Sequence, residues 1–92
     1  DQIADYIVRL VAATRTDDRI LRGASPRATL SVAALSKAVA QLQGRDYVVP
    51  KDVQEAFLRA AEHRIQLIPG QDVPVVDILR QILKKNRAPK LR

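Results

Sequence analysis

Ninety-two residues with a net charge of +6, 47% hydrophobic residues and no cysteine suit one small domain with one core, able to bury about 60–65% of its unfolded surface. They exclude disulfides and thiolate metal sites, and no apolar stretch approaches the roughly 20 residues of a membrane span. Only three side chains are aromatic, Tyr6, Tyr47 and Phe57, so the core must be aliphatic and alanine-rich, a composition that favours closely packed helices.

The positive charge is local. Residues 84–92 carry five cations (Lys84, Lys85, Arg87, Lys90 and Arg92) and no acid, whereas residues 1–83 carry eleven cations and ten acids, a balance of +1. A short basic run at a chain end reads as a solvated tail, with a phosphate-binding arm as the alternative. The lack of cysteine fits a reducing compartment, so the expected location is cytoplasmic. The chain opens on Asp1 without a signal segment and enters a helical pattern at once, as expected of a piece excised from a longer protein.

From Gln2 to Thr14 the apolar residues Ile3, Ile7, Leu10 and Val11 recur at helical spacing, with Asp5 and Arg9 as an i, i+4 pair, which predicts a first amphipathic helix. Residues 15–22 break the period and cluster charge. Asp17 and Asp18 could serve a metal or acid/base chemistry, but adjacent carboxylates in an arginine-rich turn read more simply as solvated.

Gly23-Ala24-Ser25-Pro26-Arg27-Ala28 then opens the second helix, predicted to run from Pro26 to about Gln43. Ser25 is the expected N-cap and Pro26 the first helical residue. Arg27 thus falls at the positive end of the helix, where a cation is disfavoured by roughly 0.3–1 kcal/mol. It either extends into water, pairs with a carboxylate, or meets an anion such as phosphate together with the free backbone N–H groups. Ala28, Val32, Leu35, Val39 and Leu42 form one apolar stripe, widened by Leu30, Ala34 and Ala38, which predicts a central helix with neighbours on two sides. Gly44 supplies its left-handed stop.

Tyr47-Val48-Val49 reads as a short extended bridge. Pro50 starts a third helix with Asp52 and Glu55 in its first turn and Val53, Phe57, Ala60, Ala61 and Ile65 on its buried face, ending between Ile65 and Ile68. His63 lies late on that helix and, as a lone histidine, is a surface or packing residue before it is a ligand. Asp72 is a candidate cap, and Pro74 with Val75, Val76, Leu79, Ile82 and Leu83 marks a fourth helix running into the tail. The fold class is all-α, a four-helix bundle with one short extended segment near residues 47–49. There is no glycine-rich phosphate loop followed by lysine, no cysteine nucleophile and a single histidine, so the chain is not an enzyme by itself.

The ordered series of Tyr6-Ile7-Val8, Thr14-Arg15, Gly23-Ala24-Ser25-Pro26-Arg27-Ala28, Gly44-Arg45-Asp46-Tyr47-Val48 with Pro50, Asp52 and Val53, and His63-Arg64 closely resembles the C-terminal lid domain of MoxR-type AAA+ ATPases. The resemblance covers residues 1 to about 66. It implies an AAA+ lid over residues 1–85 and a disordered basic tail over residues 86–92. It further implies that Arg27 is the sensor-2 arginine, acting on the ATP γ-phosphate only together with an upstream ATPase domain, with Gly23, Ser25 and Pro26 shaping its surroundings. Tyr6 and Ile7 would lie near the adenine, with core packing as the other reading of Ile7.

The cofactor implied is ATP or ADP with magnesium in the full-length protein, not bound tightly by this fragment, and no metal site is expected in the chain itself. The implied partners are the upstream AAA+ core, neighbouring subunits of a hexameric ring, and proteins with von Willebrand factor A domains, with no membrane and no nucleic acid. The family implies ATP-driven chaperone or maturation work. The alternative is a small helical nucleic-acid-binding module that uses the basic tail. Against it, the third helix opens with Asp52 and Glu55 where phosphate contacts would want cations.

Overall fold

A computed structural model describes residues 1–90. Four helices follow the predicted order: α1 (Gln2–Ala13), α2 (Ala28–Leu42), α3 (Pro50–Ala61) and α4 (Val75–Lys85). Two short strands complete the described residues, β1 (Ile20–Arg22) between α1 and α2, and β2 (Gln66–Leu67) between α3 and α4.

Helix α1 starts where Asp1 Oδ1 accepts the Ala4 N–H at 2.7 Å, satisfying one of the donors that a helix start leaves free. Its Tyr6, Ile7, Leu10 and Val11 enter the core, where they meet Ala28 and Val32 of α2, Val53, Ala56 and Phe57 of α3, and Ile78, Leu79 and Ile82 of α4. Tyr6 and Phe57 have no exposed surface. The Tyr6 hydroxyl accepts from Gln54 Nε2 at 3.2 Å, so the buried phenol keeps a polar partner.

Helix α2 packs on both α1 and α3, as its wide apolar pattern predicts, but its outer face is open. Leu30 is 74% and Leu42 85% exposed, and Ala34 and Ala38 are exposed with them, so these residues do not widen the core stripe of this chain. Ser36 takes a core position instead, donating its hydroxyl to the Val32 carbonyl at 2.7 Å. Gly44 stops the helix at φ +79°, a conformation that costs an L side chain about 1–2 kcal/mol.

The connection to α3 is held by an ion pair that charge placement alone did not reveal. Arg45 donates to both Asp52 carboxylate oxygens at 2.6 and 2.9 Å, a bidentate geometry among the stronger charged hydrogen bonds. Asp52 also accepts the Val49 N–H at 2.9 Å, and so caps the helix from its third residue. Val49 is extended, at φ −112° and ψ 162°, as expected of residues 47–49, but no strand pairs with this segment.

The strand pairing lies elsewhere. β1 and β2 run antiparallel with Ile20 opposite Leu67 and Arg22 opposite Gln66, and Leu21 sits at an irregularity between them. To reach β1 the chain must leave α3 early. The helix ends at Ala61, not at 65–68, and Glu62, His63 and Arg64 form a turn with His63 exposed. Asp17, expected to be solvated, is paired with Arg19 at 2.8 Å, and Arg19 Nη1 reaches on to Gln81 of α4 at 2.6 Å.

Helix α4 begins after an extended Pro74 with no side-chain cap, so Asp72 does not cap it. Asn86 closes the other end by donating Nδ2 to the Ile82 carbonyl at 2.8 Å. Beyond it the Arg87 carbonyl accepts from Arg9 at 3.2 Å, and Ala88 packs against the core. The tail expected to be disordered, 86–92, includes Leu91 and Arg92, which lie outside the described residues. No helix among the described residues is long and apolar enough to cross a membrane.

The two ion pairs make the domain acid-sensitive in a defined window. The Arg45 guanidinium first, and the Val49 N–H after it, hold the Asp52 carboxyl below the usual carboxylate range against the opposing effect of burial. Arg19 does the same for Asp17. A carboxyl lowered in the folded state stabilises fully above its unfolded value near about 3.9, and that stabilisation is lost as pH falls through the lower folded value. Asp52→Asn is therefore expected to lose about 2 kcal/mol at pH 7. Below about pH 4 it should lose less further stability than the parent chain, as measured by urea unfolding across pH. Parallel acid limbs for the two proteins would contradict this assignment.

Candidate functional site at the start of the second helix

The turn that delivers Arg27 is fastened to the end of α1. Thr14 is fully buried; its hydroxyl donates to the Val11 carbonyl at 2.7 Å and accepts the Ala24 N–H at 2.9 Å. Arg15 Nη1 donates to the Ala24 carbonyl at 3.3 Å. Ala24 is thus held from both sides of its backbone and is itself fully buried.

Gly23 lets this happen. A Cβ there would press on the Thr14 carbonyl, 2.6 Å from its carbon, and lie 2.8 Å from Arg15 Cα. Since those are backbone atoms, no rotamer change could relieve the clash, and the glycine is required by close approach of two chain segments.

Past this clamp the chain turns into α2 through one tight turn. The Ala28, Thr29 and Leu30 N–H groups donate to the carbonyls three residues back, of Ser25, Pro26 and Arg27, at 2.9, 3.1 and 3.1 Å. The helix proper begins at Ala28, two residues later than expected. Arg27 occupies the N-cap position with helical backbone angles and no side-chain cap bond. The expected Ser25 cap is therefore absent: in a 3₁₀-like turn the Ala28 N–H, one of the donors a Ser25 cap would take, goes to the Ser25 carbonyl instead. The Ala28, Thr29 and Leu30 amides are thus not free to cradle an anion, which leaves Arg27 itself to hold any anion at this end.

Arg27 itself is exposed, and its side chain makes no hydrogen bond or ion pair among the described residues. The first turn of α2 contains no acid, so no carboxylate among the described residues offsets the unfavourable dipole at Arg27. The carboxylate partner weighed as one reading of Arg27 is not among the described residues.

An apolar cleft of about 310 Å³ opens between α1 and α2, lined by Ile3, Ala4, Ile7, Val8, Leu30 and Ala33 among others. Leu30 lies three residues beyond Arg27, so the cleft reaches the same end of α2. Tyr6 faces the other way: with no exposed surface and its hydroxyl bonded to Gln54, it offers no surface to a base and is withdrawn as a contact. Ile7 is 3% exposed and supplies only the floor of the cleft. The exposed apolar surface there belongs to Val8, 53% exposed, and Leu30, 74% exposed. Val8 was detectable in the sequence as an apolar residue off the buried stripe of α1. Among the described residues no group of three or more His, Cys, Asp or Glu side chains could hold a metal ion.

The clamp makes a stability prediction. Gly23→Ala should lose about 1–3 kcal/mol by overpacking against fixed backbone. Thr14→Val leaves the buried Ala24 N–H without an acceptor and should lose a similar amount, whereas Thr14→Ser keeps the acceptor and should lose less. Denaturant unfolding of the four proteins checks the order, and wild-type stability of Gly23→Ala would contradict the clamp.

Comparison with known proteins follows the same features. Residues 12–82 match the family model of the AAA lid domain. The chain is 39% identical over 74 residues to Chaperone MoxR1 of Mycobacterium tuberculosis, covering 71% of this chain and 20% of that protein. It is 33% identical over 95 residues to the uncharacterised protein YeaC of Bacillus subtilis, covering 100% of this chain and 30% of that one. With Protein MoxR of Methylorubrum extorquens it shares 32% identity over 77 residues, 78% of this chain and 22% of the relative. The chain thus spans a fifth to a third of the length of these relatives. A crystal structure of a Cytophaga hutchinsonii protein provisionally assigned as an ATPase superposes with a TM-score of 0.89 at 32% identity, over 98% of this chain and 31% of that one. The chain belongs to the AAA lid domain family and is a lid of the MoxR type.

Proposed function

We propose that this domain is the nucleotide-sensing lid of a MoxR-like AAA+ ATPase, and that Arg27 is its sensor-2 arginine, directed at the γ-phosphate of ATP. The observation that carries the reading is an exposed guanidinium, without a partner among the described residues, held on a buried clamp at the positive end of a helix. A charge placed against its own dipole and left unpaired is stabilised by an anion from outside the chain.

The fit to ATP is partial in an informative way. Arg27 supplies a planar fork for phosphate oxygens, and the cleft beside it supplies apolar walls, Val8 and Leu30, suited to the flat face of a base. The described residues hold no group of three or more His, Cys, Asp or Glu side chains that could bind a metal ion. On this reading the magnesium-binding acid, the phosphate loop and the residue that orients water lie in an upstream α/β domain, and the lid alone should not hydrolyse ATP. ATP supplies the phosphoryl group that passes to water. Arg27 stabilises the charge carried by its oxygens and, by engaging or releasing it, couples nucleotide state to lid position.

The same reading places the protein in a ring, in the cytoplasm, as an ATP-driven chaperone or maturation factor acting with partners such as von Willebrand factor A-domain proteins. The chaperone name borne by the Mycobacterium tuberculosis relative supports the class of work. The exposed outer ridge of α2 (Leu30, Ala34, Ala38 and Leu42) is apolar surface of the kind that further domains or subunits cover. The nucleic-acid alternative gains no support from the fold, because α3 opens on a buried Asp52.

In the full-length protein Arg27→Ala should lower steady-state ATP hydrolysis about 10²-fold, roughly 3 kcal/mol in the barrier. Arg27→Lys should restore part of the rate, since it keeps the charge and loses the fork. Neither should lower the thermal midpoint. Ser25→Ala should also leave the midpoint in place, because no side-chain cap is lost. If Arg27→Ala leaves hydrolysis untouched or unfolds the lid, the sensor assignment fails.

A further inference from the structure

We propose that Arg15 is a positioning residue for Arg27, acting through the Ala24 backbone, so that the end of α1 sets where the sensor arginine points. The inference rests on the reading of Arg27 as the phosphate-facing group and extends it to a residue that reading leaves without a role.

Three observations lead to it. First, the start of α2 is not fixed by its own side chains, since Arg27 at the N-cap position makes no cap bond. What fixes it is the preceding residue pair, with Gly23 packed on the Thr14 carbonyl and Ala24 held by its N–H and its C=O. Secondly, the path from that anchor to Arg27 is short and stiff. It consists of Ser25 and Pro26, with the proline φ fixed by its ring and the turn closed by the Ala28 N–H on the Ser25 carbonyl at 2.9 Å.

Thirdly, the two halves of the anchor differ in kind. Thr14 is fully buried and belongs to the core, whereas Arg15 is exposed. The Ala24 carbonyl, at 3.3 Å, is the contact its guanidinium makes among the described residues. An exposed arginine spent on one backbone carbonyl adds little to folding, but it orients the carbonyl that begins the Ser25-Pro26-Arg27 segment. A small misplacement of a charged group at a transferring phosphoryl lowers rate far more than it lowers stability. Arg15 is thus a group whose removal separates the two.

The test uses the full-length protein with magnesium-ATP and compares wild type, Arg15→Ala, Arg15→Lys, Arg27→Ala and the Arg15→Ala/Arg27→Ala double variant. Arg15→Ala is expected to lower kcat about tenfold while KM for ATP and the thermal midpoint stay near wild type. Arg15→Lys retains one donor to the carbonyl and should recover part of the rate. The double variant should be no slower than Arg27→Ala, since a residue that works through Arg27 has nothing left to position.

Wild-type turnover in Arg15→Ala would overturn the proposal. So would losses that multiply in the double variant, which would mean that Arg15 acts independently of Arg27. A fall in the thermal midpoint that accounts for the lost rate, without recovery in Arg15→Lys, would assign Arg15 to the fold instead. If Arg27→Ala alone leaves hydrolysis unchanged, the sensor reading fails first and the positioning role falls with it.

Discussion

One hydroxyl joins the two segments on which the rest of this domain is arranged. Thr14 donates to its own helix and accepts from the loop ahead, so a single buried side chain both ends α1 and fixes the approach to α2. Burying that hydroxyl is tolerable only because both partners are present, and the loop can come near enough only because residue 23 lacks a Cβ. Local chemistry at residues 14, 15, 23 and 24 therefore decides the geometry of a helix start that contains no cap of its own.

A second lock holds the far end of the same helix. Arg45 and Asp52 tie the loop after α2 to the first turn of α3, and Asp52 closes the Val49 N–H at the same time. Between these locks α2 packs on α1 and α3, with its outer face left open. Such an arrangement suits the proposed role of Arg27, a charge carried to and from a site built elsewhere. The strand pair and the Arg19 contact to Gln81 bind α4 to the same frame.

Much of this was legible in the sequence, and the misses have physical causes. Helices α1, α2 and α4 and the glycine stop at Gly44 follow from periodicity and backbone freedom, which are local. The strands were not legible, because three residues pair with two about half the chain length away and neither run alternates enough to announce itself. That pairing also ended α3 early at Ala61. Leu30 and Leu42 were assigned to the core since a pattern counts apolar residues without knowing what else covers them, and in this lid they face outward. The Ser25 cap is missing for a subtler reason: a 3₁₀-like turn supplies the Ser25 carbonyl to the Ala28 N–H in place of the hydroxyl. At the site, the sequence pointed to Arg27 through its conflict with the dipole, but the hold of Thr14 and Arg15 on Ala24 is a non-local contact that no spacing rule encodes.

As proposed, Arg27 is carried on this clamp to meet the terminal phosphate of a nucleotide bound between the lid and an ATPase domain. A crystal structure of the full-length protein with magnesium and a non-hydrolysable ATP analogue tests it most directly. An Arg27 guanidinium nitrogen is expected within about 2.7–2.9 Å of a γ-phosphate oxygen, with the Thr14 and Arg15 contacts to Ala24 retained. A γ-phosphate held entirely by other residues, with Arg27 turned to solvent or paired with a carboxylate, would contradict it.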